Sequence, residues 1–137
     1  MKHAIKTDKA PKALGPYSAA CLADNDMLFL SGQLGINPET NELAEGFENQ
    51  CRQSLENVKN ILNAAYYDMN DVIKTTIFLS DINNFAKFNE IYGTYFTEPY
   101  PARSAIQVAA LPKGALIEIE AIAFKTNGCI LEKEAQK

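Results

Sequence analysis

The side chains in this sequence that could do chemistry form a short set. Glu118 and Glu120 stand two apart in a run, 116–124, whose alternation reads as a strand, so both project from one face between Leu116 and Ile122. Two readings are open for them: a solvated strip, or a partly buried carboxylate at a subunit junction with its pKa raised by desolvation. Arg103 follows the extended Tyr100-Pro101-Ala102 segment and opens a strand, 104–110, expected to pair with 116–124. It is either the salt-bridge partner of one of those glutamates or a planar fork for a substrate carboxylate, a geometry lysine cannot reproduce. Gly15-Pro16-Tyr17-Ser18 can present the Tyr17 hydroxyl, and Ser31-Gly32 offers a hydroxyl and an accessible backbone N–H. Each of these patterns is weak alone, and Asn89, inside a helical run, reads first as an ordinary exposed polar residue. Arginine and glutamate without histidine or metal suit a small carboxylate-bearing substrate and an activated water. They do not suit hydride or phosphoryl transfer.

Scarce residues exclude other classes. His3 is the only histidine, which argues against a Ser-His-Asp triad, an HExxH helix or a catalytic zinc. Cys21, Cys51 and Cys129 are an odd set without CxxC spacing, so neither a disulfide framework nor a zinc knuckle is expected. GxGxxG and GxxxxGK[ST] are absent, and no cofactor is expected. The 137 residues, with Lys+Arg 13 against Asp+Glu 17 and a net charge of −4, describe one ordinary globular domain. That balance argues against nucleic acid or an anionic membrane as the main partner. The opening MKHAIKTDKAPKA lacks the apolar core of a signal peptide, so the expected address is the cytoplasm.

Around these residues the chain reads β-β-(β)-α-β-α-β-β. Asp24-Asn25-Asp26 turns between strand-like runs 18–23 and 27–33. Phe47, Cys51, Leu55, Val58, Leu62 and Ala65 recur at helical steps within 46–67, which makes Cys51 a core residue. A strand follows at 72–79, then a helix capped by Asp81 and running to about Tyr95. Pro112-Lys113-Gly114-Ala115 reads as a hairpin loop joining the last two strands. This predicts a single α+β domain, 1–126, with two helices on one face of a mixed sheet and a short tail, 127–137. The last strand is apolar on both sides, so the face the helices leave bare should meet another subunit.

In order, Gly15-Pro16-Tyr17-Ser18, Ser31-Gly32-Gln33, Arg52-Gln53-Ser54-Leu55-Glu56-Asn57, Lys74-Thr75-Thr76, Pro101-Ala102-Arg103-Ser104 and Ile117-Glu118-Ile119-Glu120-Ala121 resemble the RidA/YjgF family. The likeness runs from about residue 3 to 125, and its last two motifs are the most specific. It implies a chorismate-mutase-like fold and a homotrimer with three clefts between neighbouring subunits. It also implies hydrolytic deamination of 2-aminoacrylate and 2-aminocrotonate, in their imine forms 2-iminopropanoate and 2-iminobutanoate. The products are 2-keto acids and ammonia, and pyridoxal-phosphate enzymes are thereby protected.

By resemblance Arg103 holds the substrate carboxylate, Glu118 polarises the attacking water, and Tyr17, Ser31, Gly32 and Asn89 line the cleft. Tyr17 would lie close to the water or the imine nitrogen. Many members carry cysteine where this chain has Ala105. A backbone contact to substrate tolerates that change, whereas any function of the thiol is lost. The segment 96–101 also looks shorter than in common bacterial members. Three other classes compete with the enzyme: a 2-keto acid sensor using the same clefts, a ribonuclease or translation inhibitor, and a chaperone-like holder.

Overall fold

The computed structural model describes residues 1–126; the tail expected at 127–137, with Cys129, lies outside the described residues. Strands β1 (Lys2–Ile5), β2 (Ala20–Ala23), β3 (Met27–Leu34), β4 (Val72–Leu79), β5 (Ala102–Gln107) and β6 (Ile117–Phe124) form one sheet in the order β1-β2-β3-β6-β4-β5. Only β4 and β5 run parallel. Helices α1 (Gly46–Ala64) and α2 (Phe85–Tyr92) carry the helical periodicity. Among the described residues no helix is long and apolar enough to cross a membrane.

The β2–β3 hairpin turns where expected, with Asp24 and Asn25 at φ 50° and 66°, the left-handed values a tight hairpin requires. Helix α1 buries Cys51, Leu55, Val58, Ile61 and Leu62, and burial pushes the Cys51 thiol up to about 12, against the pull of Arg52. It stops at Ala64, short of Tyr67. Tyr66 turns left-handed there, its N–H donates to the Asn63 carbonyl, and the Tyr67 N–H donates to that of Leu62. Helix α2 is likewise shorter than its apolar pattern. Asp81 caps a 3-10 turn, Ile82–Asn84, that precedes it, and the N–H and hydroxyl of Thr94 both take the Ile91 carbonyl beyond its end.

One expected pairing is wrong, and it concerns the site. Strand β5 does not pair with β6; it lies parallel to β4, with Thr75 opposite Arg103. β6 is inserted between β3 and β4. A helix between two strands is the usual crossover of a parallel pair, and α2 is that crossover. Pro112–Gly114 is a 3-10 turn, with Lys113 at φ 59°, rather than a hairpin loop.

Both helices lie on one face. Ile117, Ile119, Ala121 and Ala123 of β6 are at most 4% exposed beneath them, together with Leu28, Leu30, Ile77 and Leu79. The opposite face carries Glu118, Glu120 and Ile122, and its Phe29, Ile106 and Phe124 remain 41–49% exposed. The bare apolar face expected from the two-sided last strand is therefore present.

Candidate active site

Glu118 is positioned by a defect in the sheet. Between the pairs Leu30–Ala121 and Gln33–Ile119, β3 has one residue more than β6, so Ser31 and Gly32 bulge opposite Glu120. The bulge brings the Gly32 Cα against the Glu118 carboxylate, where even a methyl group would overlap it. It is fastened from both sides. The Ser31 hydroxyl donates to the Ser18 carbonyl at 2.6 Å, and its N–H donates to that of Ala19 at 2.9 Å.

From the helix, the Ser54 hydroxyl donates to the Gln33 carbonyl at 2.7 Å, and the Asn57 amide donates to Leu34 and Ile36 at 3.1 and 2.9 Å. These buried polar groups satisfy backbone carbonyls that the sheet ladder leaves free. The Arg52–Asn57 motif thus acts through Ser54 and Asn57, as a clamp on the bulge.

Tyr17 arches over the same place. Its hydroxyl accepts from the Leu14 N–H at 3.0 Å, and the residue is 46% exposed. Leu14, Tyr17, Ala19, Gly32, Leu34 and Glu118 are among the walls of a pocket of about 60 Å³. Partial burial, and then the neighbouring Glu120, hold the Glu118 carboxyl above the usual glutamate value. Of the strip, Glu118 is partly buried and Glu120 is exposed.

Because the three heavy atoms nearest an added methyl all belong to the Glu118 side chain, Gly32→Ala should fold and displace that carboxylate. The expected result is a melting temperature within a few degrees of wild type. Moved out of its pocket, the Glu118 carboxyl should titrate closer to the usual glutamate range, as followed by NMR of the side-chain carboxyl. An unchanged titration would show that the Gly32–Glu118 contact does not fix the place of that carboxylate.

Arg103 stands elsewhere, on the helix-covered side at the β5 edge. Its guanidinium carbon lies 5.0, 5.4 and 5.5 Å from the ring centres of Tyr92, Phe88 and Phe85. Among the described residues it has no ion pair, so the salt bridge to Glu118 or Glu120 is not formed. Asn89, Tyr92, Gly93, Tyr100, Pro101 and Arg103 line a second pocket, of about 360 Å³. The Asn89 side-chain oxygen is buried without a hydrogen-bond partner among the described residues. Burial raises the Tyr92 phenol above its ordinary value, against its hydrogen bond with Thr75 and the charge of Arg103.

One chain therefore brings the sequence-chosen residues together in two groups. Tyr17, Gly32 and Glu118 share one pocket, with Ser31 behind them; Arg103 and Asn89 share the other. Ala105 borders neither and is half-buried against the core. Tyr92 and Tyr100 were missed as pocket residues. The available signal for Tyr92 was the spacing of Phe85, Phe88 and Tyr92 on a crossover helix beside the arginine strand.

A family described as endoribonuclease L-PSP matches residues 7–125. The human 2-iminobutanoate/2-iminopropanoate deaminase is 48% identical, over 91% of this chain and 91% of its own. Among solved structures, RidA from the Antarctic bacterium Psychrobacter sp. PAMC 21119 is 50% identical with a TM-score of 0.87, over 90% of this chain and 99% of its own. TdcF of E. coli with bound serine is 45% identical with a TM-score of 0.85, over 90% of this chain and 98% of its own.

Proposed function

This chain belongs to the RidA/YjgF family, matched under the description endoribonuclease L-PSP, and on that premise we propose that it hydrolyses 2-imino acids to 2-keto acids and ammonia. The observation that carries the reading is that one chain supplies both an arginine fork with no ion pair among the described residues and, in another pocket, a partly buried glutamate beside Tyr17 and Gly32. The substrates are the small imines 2-iminopropanoate and 2-iminobutanoate, a class that agrees with the names of the deaminase relatives. Their removal would protect pyridoxal-phosphate enzymes.

In this mechanism Arg103 holds the substrate carboxylate through two parallel hydrogen bonds. The iminium carbon is already electrophilic, so orientation and one general base suffice. Ionised Glu118 takes a proton from water as the new C–O bond forms and the C=N electron pair moves to nitrogen. It returns that proton to nitrogen. The C–N bond then breaks, the ketone closes, and the hydroxyl proton leaves with ammonia as ammonium. Tyr17 walls the water's side of the cleft, and Asn89 lies beside the anchored carboxylate.

Arg103 and Glu118 lie on opposite faces of the sheet, so a cleft holding both needs a second copy of the chain. The bare face with Phe29, Ile106 and Phe124 offers the contact, and the family resemblance makes the proposed assembly a homotrimer with three shared clefts. A ribonuclease reading has less support, because a chain of net charge −4 lacks the concentrated positive charge that RNA binding draws on.

The test is a coupled assay. Threonine dehydratase supplies the imine in situ, semicarbazide traps what remains, and keto-acid release is followed. Wild type should speed release and deplete the trapped imine; a folded, oligomeric protein that does neither defeats the reading. Arg103→Ala and Glu118→Gln, each inactive, are then unfolded and refolded together. About a quarter of wild-type activity should return, the random-mixing share of shared clefts that keep both groups. No recovery would mean that one chain supplies both residues to its own site.

A further inference from the structure

Thr75 holds two roles at once. Its Cα is the register partner of Arg103 across the parallel β4–β5 pair, and its hydroxyl is bonded to the Tyr92 hydroxyl at 2.8 Å. Thr75 is fully buried and Tyr92 is 5% exposed, so each hydroxyl is the other's means of satisfaction away from water. The Tyr92 ring and the Arg103 backbone are therefore indexed to the same residue.

That ring is the nearest of the three beneath the guanidinium, and it is itself wedged in a ladder. Ring centres lie 5.2 Å apart from Phe88 to Tyr92 and 4.5 Å from Tyr92 to Phe96. A carboxylate partner would fix an arginine just as well, but it would occupy the fork and cancel its charge. Ring faces hold the cation by its flat side and leave its edge N–H donors free.

We propose that Tyr92 is a positioning residue: its ring, fixed by the hydrogen bond to Thr75, is the platform that aims the Arg103 fork at the substrate carboxylate. This rests on the reading of Arg103 as the carboxylate anchor. Tyr92 touches no reacting atom, so its removal should weaken carboxylate binding and leave turnover at saturation intact.

The experiment measures the Kd of 2-ketobutyrate by titration, and KM and kcat in the imine assay, for wild type and three variants. Tyr92→Leu should raise both Kd and KM about fivefold, within the range of cation–ring attraction, with kcat kept within about twofold. Tyr92→Phe, which keeps the ring but not the bond to Thr75, should recover only part of that loss. Leu22→Val trims a buried side chain on β2, with β3, β6 and β4 between it and Arg103; it should lower the melting temperature and leave KM unchanged.

A Tyr92→Leu protein with wild-type Kd and KM overturns the proposal, as does one in which kcat falls and KM does not. If Tyr92→Leu does not fold, Thr75→Val decides the matter: a higher Kd supports the platform and an unchanged one overturns it. Failure of the parent reading looks different. Wild type that binds 2-ketobutyrate without hydrolysing the imine removes the deaminase, and Kd alone then settles the platform. Wild type that binds no 2-ketobutyrate removes both.

Discussion

Arg103→Ala is expected to lower kcat/KM for 2-iminobutanoate by at least about a hundredfold, because two charge-assisted hydrogen bonds to the substrate carboxylate are lost together. Arg103→Lys keeps the charge but neither the fork nor the flat face that lies on the rings. It should recover only part of the loss and remain about tenfold below wild type. Folding should survive both changes. Arg103 is exposed on an edge strand and has no ion pair among the described residues, so its removal leaves no buried charge behind. Initial rates of keto-acid release measure the first effect and circular-dichroism melting the second. A folded Arg103→Ala protein with wild-type kcat/KM would place the carboxylate anchor elsewhere.

The contrast between Arg103 and Glu118 also marks what the sequence could disclose. Glu118 was legible because a strand has a period of two: with Ile117, Ile119, Ala121 and Ala123 on one side, its own side is fixed whatever the strand pairs with. The same local logic found the Asp24-Asn25 turn and the buried stripe of α1. The partner of β5 was not legible by such means. A short polar loop before the last strand favoured a hairpin, whereas the β4–α2–β5 crossover competes for the same strand and wins.

The misassigned pairing placed Arg103 beside the glutamates, when the sheet puts them on opposite faces. Ser54 and Asn57 were hidden for a related reason. A polar residue on a buried helix face looks like an error in the pattern until the strand whose carbonyls it satisfies, more than 20 residues away, is known. Arg103 and Glu118 could be chosen from the sequence, and the resemblance set them in clefts between subunits. That the two face away from each other within one chain needed the three-dimensional register.

Glu118→Gln should remove at least about a hundredfold of kcat, the lower end of what a positioned general base contributes. The folded protein should become more stable at neutral pH as it loses activity. The sign follows from the direction of the pKa shift. Partial burial and Glu120 raise the folded-state value, so the native protein holds this proton more tightly than the unfolded chain does. The group's contribution to stability is complete below its unfolded pKa and is lost as pH rises through the folded one. Above that window wild type carries an ionised carboxylate that folding disfavours, and the glutamine variant does not.

The difference in melting temperature should therefore open on going from acid to neutral pH and close again in acid. Wild-type kcat/KM should trace the same titration in the opposite sense, falling as pH drops and beginning to fall above the usual glutamate range. The residual rate of the glutamine variant should stay flat there. Glu120→Gln withdraws the second cause of the shift, so the acid limb should move to lower pH while most of the activity remains. A limb that does not move would assign the shift to burial alone. A limb that persists in Glu118→Gln would assign the base to another group.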